Sequence, residues 1–152
     1  MDDNQRSTLG LKSNGNSNHS STSSGKVSSL PDFNIKVITK DLFDKTADSC
    51  AKILSDDKRT NKGTQLRRFY DELVLWYEKV GSDDEAFKNY LPFIYMMKSK
   101  VAYAKGRKNV NEEFQNFMKK LIDQITDRTT LKNAKLFMEA MMGFYKQYRE
   151  ND

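Results

Sequence analysis

The fold of this chain is decided by the stretch Ile94-Tyr95-Met96-Met97-Lys98-Ser99-Lys100-Val101-Ala102-Tyr103-Ala104-Lys105-Gly106-Arg107. Its apolar residues recur at the spacing of an α-helix. We predict a helix from Pro92 to Lys105, with Gly106 in its C-terminal cap. A basic residue, Arg107, follows the glycine directly, so the helix ends in positive charge.

Two other segments repeat this combination of helical spacing and cations. Gln65-Leu66-Arg67-Arg68 opens an earlier helix, and Phe137-Met138-Glu139-Ala140 with Phe144-Tyr145-Lys146 lies in the last one. The only stretch that approaches strand alternation, residues 34–38, is short and isolated. The sequence therefore predicts an all-α protein, a small five-helix bundle.

The predicted helices are separated by glycine, proline and polar turns. We place them at about 40–54, 64–80, 82–105, 112–127 and 130–149. The third is expected to break at Pro92, because proline lacks a backbone donor and clashes with the preceding turn. Ser82 and Glu85 have the spacing of a capping box at its start. Asn109 or Asn111 is the expected cap of the fourth helix.

The first part of the chain has a different composition from the rest. Of the first 30 residues, 18 are Ser, Asn, Gly or Thr. A segment of this kind buries too little apolar surface to offset the entropy of ordering. We therefore predict a disordered tail over residues 1–34 and a helical bundle domain over residues 35–152. About 115 residues are enough for one core.

The net charge and the number of cysteines narrow the class of protein. The net charge is +5, which points mildly towards a polyanionic partner. The single cysteine, Cys50, cannot form an intrachain disulfide, so a reducing compartment such as the cytoplasm is expected. Cys50 also lies within an apolar helical pattern, where a buried core role is expected. No apolar run is long enough to span a membrane.

The sequence contains little that indicates catalysis. Its one histidine, His19, lies in the predicted tail, away from any folded nucleophile. Cysteine and histidine are too few for a zinc site, and no glycine-rich phosphate loop is present. The acidic run Asp83-Asp84-Glu85 suits the first turn of a helix. We therefore predict no catalytic residue, no metal and no cofactor.

The basic residues allow two interpretations. Arg67 and Arg68 each have an acid four residues later, at Asp71 and Glu72, and such pairs contribute only about 0.2–0.5 kcal/mol on a helix surface. The same arginines lie near a helix start, where backbone N–H groups favour phosphate. The cations around Gly106 likewise either balance a helix C-terminus or contact phosphate.

Three segments together resemble a known family. They are Thr64-Gln65-Leu66-Arg67-Arg68, Tyr103-Ala104-Lys105-Gly106-Arg107, and Phe137-Met138-Glu139-Ala140 with the helix that continues to Tyr148. In this order they are similar to the motifs of the small subunit of type III-A CRISPR interference complexes. The resemblance extends over residues 40–148.

The resemblance implies a non-catalytic, RNA-binding scaffold subunit. Several copies would pack head to tail along the guide RNA and its paired target RNA, beside the large subunit and the backbone subunits. Leu75, Tyr95 and Met142 are the apolar residues that we expect between copies. The residues expected to contact RNA backbone are Lys62, Gln65, Arg67, Arg68, Lys105, Arg107 and Lys108. The alternative is a helical protein–protein adaptor whose basic residues bind no nucleic acid.

Overall fold

The computed structural model describes residues 29–151, which contain five α-helices and no strand. The predicted all-α five-helix fold is therefore confirmed, while residues 1–28 of the predicted tail lie outside the described part. A π-helical turn, Leu42–Thr46, leads directly into the first helix. The helices are α1 (Ala47–Leu54), α2 (Gly63–Val80), α3 (Asp84–Gly106), α4 (Glu112–Asp123) and α5 (Arg128–Tyr148).

The last helix is the centre of the bundle. α5 packs against α1 and α2, while α3 packs against α4 and α2. Leu131, Phe137 and Met141 of α5 are fully buried, at the helical spacing that presents one apolar stripe to the core. Because α5 touches both α1 and α2, it fixes the loop between them from one side.

The core also takes in the segment before the first helix. The ring of Phe33 lies 4.7 Å from Phe137 and 5.6 Å from Phe117 between centroids. Gln124 accepts a hydrogen bond from the Ile35 amide at 2.8 Å and donates to the Phe33 carbonyl at 3.1 Å. Phe33 lies on the tail side of the predicted boundary at residues 34 and 35, so packing begins before that boundary.

The third helix does not break at Pro92, so that prediction is wrong. α3 continues from Asp84 to Gly106 with Pro92 inside it. Pro92 has no N–H to donate to the Lys88 carbonyl, and both residues are exposed. Water can satisfy that carbonyl on the outer face, while Ile94 and Met97 hold the inner face in the core. Burial of the apolar stripe thus outweighs the local cost of the proline.

The ends of α3 also differ from the predictions. Asp83 is the N-cap, and its side chain accepts a hydrogen bond from the Glu85 amide at 2.9 Å. Ser82 therefore does not form the predicted capping box. Gly106 is still helical, and Lys108 carries the left-handed backbone instead, with φ of 62°. Gly81 ends α2 as predicted, also with positive φ.

Within residues 29–151, no helix combines the length and apolar character that a bilayer crossing needs.

Replacing glycine with alanine should change the free energy of unfolding in opposite directions at two positions. Gly81 has φ 56° and ψ −131°, a conformation essentially reserved for glycine, so Gly81→Ala should lower the free energy of unfolding by about 1–3 kcal/mol. Gly143 is helical, and a Cβ there would meet no atom within 4 Å. Gly143→Ala should therefore raise the free energy of unfolding by about 0.5–1 kcal/mol. Urea unfolding measures both; the same sign for both would contradict these backbone assignments.

Cys50 should be protected by the fold. Its side chain is fully buried, and burial raises the pKa of the thiol to about 12. Alkylation by iodoacetamide at pH 8 should be at least about 100-fold slower in the native protein than in urea. The raised pKa also means that this thiol's contribution to stability is complete below about pH 9 and declines as the pH rises towards 12. Rapid alkylation of native protein would contradict the burial.

Candidate nucleic-acid interface

A buried asparagine joins the two loops that carry the predicted cations. Asn61 is 0% exposed and has a left-handed backbone, with φ of 56°. Its Nδ2 donates to the Leu54 carbonyl at 3.1 Å and to Oδ1 of Asn111 at 2.7 Å. Its Oδ1 accepts from the Asn111 amide at 2.9 Å. Both polar atoms of the side chain are thus satisfied across the two loops.

A backbone hydrogen bond joins the loop before α2, which carries Lys62, to the loop after α3, which carries Lys108. The Asn61 amide donates to the Asn109 carbonyl at 3.0 Å. Lys62 follows the first of these residues and Lys108 precedes the second. Cations that lie more than forty residues apart in sequence are therefore brought to one surface. Asn111 also accepts from the Phe114 amide at 3.1 Å, and this confirms one of the two predicted caps of α4.

The end of α5 holds the same loop from the other side. The Tyr145 hydroxyl donates to the Asn61 carbonyl. The buried guanidinium of Arg149 donates to the carbonyls of Ser55, Asp57 and Thr60 at 3.2–3.4 Å. A loop without helical hydrogen bonds needs such partners for its carbonyls. The loop is therefore a fixed platform for the cations around it.

One groove lies between the two loops, and we call it the loop groove. It has a volume of about 420 Å³. Lys105 and Lys108, two of the predicted RNA-binding residues, line it together with Arg59, which sequence reasoning missed. The Arg59 side chain is 91% exposed and lies 3.3 Å from Asp57. Arg59 lies in the polar turn between the first two predicted helices, and no local pattern distinguishes it from the other polar residues of that turn.

A second groove, the helix groove, lies between the start of α2 and the end of α5. It has a volume of about 610 Å³. Arg67 and Thr64 line it from α2, while Lys146 and Gly143 line it from α5. Gly143 offers an open backbone surface there, because no atom lies near its missing Cβ. Arg67 on one wall and Lys146 on the other make the groove suitable for an anion.

The start of α2 differs from the starts of the three helices that follow. Its N-cap residue, Lys62, makes no side-chain capping bond. By contrast, Asp83, Asn111 and Asp127 each accept a hydrogen bond from the first turn of their helices. Uncapped N–H groups and the helix dipole favour a negative group at this position. The start of α2 therefore adds to the positive potential of the helix groove.

Not all predicted RNA-binding residues come together. Lys62 and Arg68 are exposed and Gln65 is half-buried, and none of the three lines one of the two grooves described above. Arg107 lies on the outer side of α3, where its Nη1 donates to the Tyr103 hydroxyl at 3.3 Å. The arrangement thus divides the seven predicted residues between the grooves and the flanking surfaces.

The two predicted ion pairs on α2 have different outcomes. Arg67 binds Asp71 at 3.1 Å, as the spacing predicts. Glu72 instead pairs with Lys100 of α3, because it faces the neighbouring helix rather than solvent. The exposed Arg67–Asp71 pair is weak, so Arg67 remains available to another anion.

Ionisable groups beside the grooves hold fixed protonation states. The backbone amide of Arg59 lowers the pKa of Asp57, so this carboxylate stays ionised and holds its loop. Burial, with Glu139 nearby, raises the pKa of Tyr70, which lines the helix groove. Tyr70 therefore remains a neutral phenol. Among residues 29–151, no cluster of three His, Cys, Asp or Glu side chains is placed to hold a metal ion.

Comparison with known proteins identifies a family. The family model described as Csm2 Type III-A matches residues 38–151, three quarters of the chain and all five helices. No curated protein and no solved structure gives a significant match.

Replacing Asn61 should loosen both loops. Asn61→Gly keeps the left-handed backbone but loses the side-chain bonds to Leu54 and Asn111, so the free energy of unfolding should fall by about 1–3 kcal/mol. Hydrogen exchange of amides 107–111 should also accelerate, although the substitution lies fifty residues away. The matched control, exposed Lys62→Ala, should stay within about 0.5 kcal/mol. An Asn61→Gly protein with wild-type stability and exchange would contradict the bridging role.

Proposed function

Because the chain belongs to the Csm2 family of type III-A CRISPR effector subunits, we propose that it is a scaffold that binds RNA backbone. In this proposal the two grooves receive phosphates of the guide RNA–target RNA duplex. The binding residues are the predicted set, Lys62, Gln65, Arg67, Arg68, Lys105, Arg107 and Lys108, with Arg59 and Lys146 added. Several copies in one complex would extend the binding surface along the duplex.

The observation that carries the proposal is the meeting of the two cationic loops. Lys62 and Lys108 flank the backbone bond between Asn61 and Asn109, and Lys105 lies in the same groove as Arg59. Bringing like charges together costs energy unless an anion neutralises them. A polyanion such as an RNA backbone supplies that charge over the length of both grooves.

The chemistry of the grooves favours phosphate rather than bases. Lysine ammonium groups and the open start of α2 recognise charge and carry no base-pairing information. In an RNA-guided complex the guide reads the sequence by pairing, so a scaffold needs only sequence-blind binding to the backbone. A few phosphates bound by each copy are enough, because the array sums them.

We also propose that the chain itself breaks no bond. The ionisable groove side chains near Arg67 are cations, the phenols of Tyr70 and Tyr145, and one carboxylate, Glu139, whose oxygen lies 4.0 Å from Lys135. These groups suit binding and positioning of an RNA strand. In this proposal the other subunits of the complex carry out the chemistry.

Removing cations in and beside the grooves should weaken RNA binding without changing its sequence preference. The variant carries Lys62→Ala, Arg67→Ala, Lys105→Ala and Lys108→Ala. Two 20-base-pair RNA duplexes of unrelated sequence should lose affinity equally, by at least about tenfold at 0.1 M salt. The plot of log affinity against log salt should flatten by about 0.9 for each phosphate that the variant no longer neutralises. Fluorescence anisotropy with labelled duplexes measures both quantities.

A control removes two cations at the other end of the bundle. Lys36 and Lys132 are exposed, and Asn133, beside Lys132, binds the Ile35 carbonyl at 2.9 Å near the start of α5. Lys36→Ala with Lys132→Ala should reduce affinity by no more than about twofold. Equal loss of affinity in both variants would contradict the groove assignment. A wild-type chain without RNA affinity that binds effector proteins after nuclease treatment would support the adaptor alternative instead.

A further inference from the structure

The segment that precedes the π-helical turn lies on the bundle in the manner of a bound peptide. We call residues 30–36 the arm. Residues 29–34 have no helical or strand structure, and within the described chain the arm makes no backbone–backbone hydrogen bond. The joint between the arm and the first helical turn, residues 36–41, is exposed throughout. The arm is therefore held on the helices by side-chain contacts.

The side chains of the arm alternate between buried and exposed positions. Phe33 is 6% exposed and Ile35 is 0% exposed. The residues on either side of them, Asp32, Asn34 and Lys36, are all exposed. A period of two is that of an extended peptide which presents one edge to a surface. The arm therefore docks through two apolar side chains on one side.

Two amide side chains of the bundle bind the arm backbone at these buried positions. Gln124, at the end of α4, accepts from the Ile35 amide and donates to the Phe33 carbonyl. Asn133 of α5 donates to the Ile35 carbonyl at 2.9 Å. Gln124 also donates to the Lys120 carbonyl at 3.1 Å, so its own helix holds the amide in position. These bonds recognise extended backbone and not the identity of a side chain, as in recognition by β-strand addition.

The surface beneath the arm determines which side chains it accepts. The Phe33 ring contacts the rings of Phe117 and Phe137, and Nζ of Lys120 lies 4.9 Å from its centroid. Lys120 also binds the Asp32 carboxylate, an exposed pair that adds little affinity. The surface selects an aromatic residue, an aliphatic residue two positions later and, more weakly, an acid before the aromatic one. We call this surface the arm groove, and it consists of Phe117, Lys120, Gln124, Asn133 and Phe137.

We propose that the arm groove is a peptide-recognition site, which an extended segment of a different protein occupies when it displaces the arm. The partner segment carries the arm's own pattern: acid, aromatic, any residue, aliphatic. Phenyl rings and two amides suit a neutral peptide backbone, which an RNA strand does not offer. Asn133 lies about 18 Å along α5 from Tyr145, so the site is separate from the loops that carry the cations. It needs no RNA and goes beyond the scaffold function.

The test is binding of a fluorescent peptide with the sequence of residues 29–38, Ser-Leu-Pro-Asp-Phe-Asn-Ile-Lys-Val-Ile. Full chain with Phe33→Ser and Ile35→Ser, the vacated variant, has no arm that fits the groove. Anisotropy should give a dissociation constant below about 100 µM for this variant, and wild-type chain should bind at least about tenfold more weakly, because its tethered arm competes at a millimolar effective concentration.

Two controls test the geometry of recognition. Gln124→Ala in the vacated variant removes two of the three hydrogen bonds to the peptide backbone and should weaken binding at least about tenfold. Gln115→Ala, at a half-buried glutamine of the same helix, should leave binding unchanged. A peptide in which Phe33 and Asn34 exchange places turns the ring to the outer side and should not bind.

Hydrogen exchange of the wild-type chain tests whether the arm detaches. The Ile35 amide, whose partner is a side chain, should exchange at least about 100-fold faster than buried amides of α5, because the arm opens without unfolding the helices. Circular dichroism verifies the fold of each variant, and should the vacated variant not fold, this measurement decides alone. A photo-crosslinking amino acid at position 34 should react within one chain.

Four results would overturn the proposal. The first is exchange of the Ile35 amide only together with the core amides of α5. The second is a folded vacated variant that does not bind the peptide, and the third is equal binding after Gln124→Ala. The fourth is crosslinking from position 34 between two chains, which would identify the occupant as a second copy.

Discussion

The surface of this protein depends on one buried amide. Asn61 adopts a left-handed backbone that asparagine tolerates better than most residues, and its side chain is saturated by Leu54 and Asn111. Two loops that local sequence does not connect are thereby held at one distance. Without that link, the cations on either loop would be ordinary solvated charges. With it, cations of both loops line one groove, in which Arg59 of the first loop lies with Lys105 and Lys108 of the second.

The same constraint explains why the bundle needs a long final helix. α5 reaches from the segment around Ile35, bound by Asn133, to the loop bound by Tyr145 and Arg149. Its apolar stripe stabilises the core. The polar side chains at its end donate hydrogen bonds to loop carbonyls that accept none within a helix. Stability and site geometry therefore depend on one element, and a change in its packing is transmitted to the cations.

Much of the fold follows from patterns that lie close together in sequence. Helical periodicity predicts all five helices, and Gly81 and Asn111 mark helix ends by local hydrogen bonding. The predicted break at Pro92 was wrong because the hydrogen bond that the proline removes lies on the solvent side, while distant core residues hold the helix. Asp83 displaced Ser82 as the cap, a choice between neighbours that the pattern alone does not decide.

The candidate site was only partly predictable. Arg67, Lys105 and Lys108 were proposed because helix ends and basic residues are visible in sequence, and all three line a groove. The bond from Asn61 to Asn111 spans fifty residues, and no local pattern reports it. Arg59 was missed for a related reason: it lies in a polar turn that carries no motif, and only the fold places it in one groove with Lys105.

The central claim is that these loops face an RNA backbone, and lysine footprinting tests it most directly. Acetylation of the full chain, with and without an RNA duplex, is quantified at each lysine by mass spectrometry. The account predicts that RNA protects Lys62, Lys105 and Lys108 together and leaves Lys36 and Lys132 as reactive as before. Uniform protection, or protection confined to Lys36 and Lys132, would contradict it.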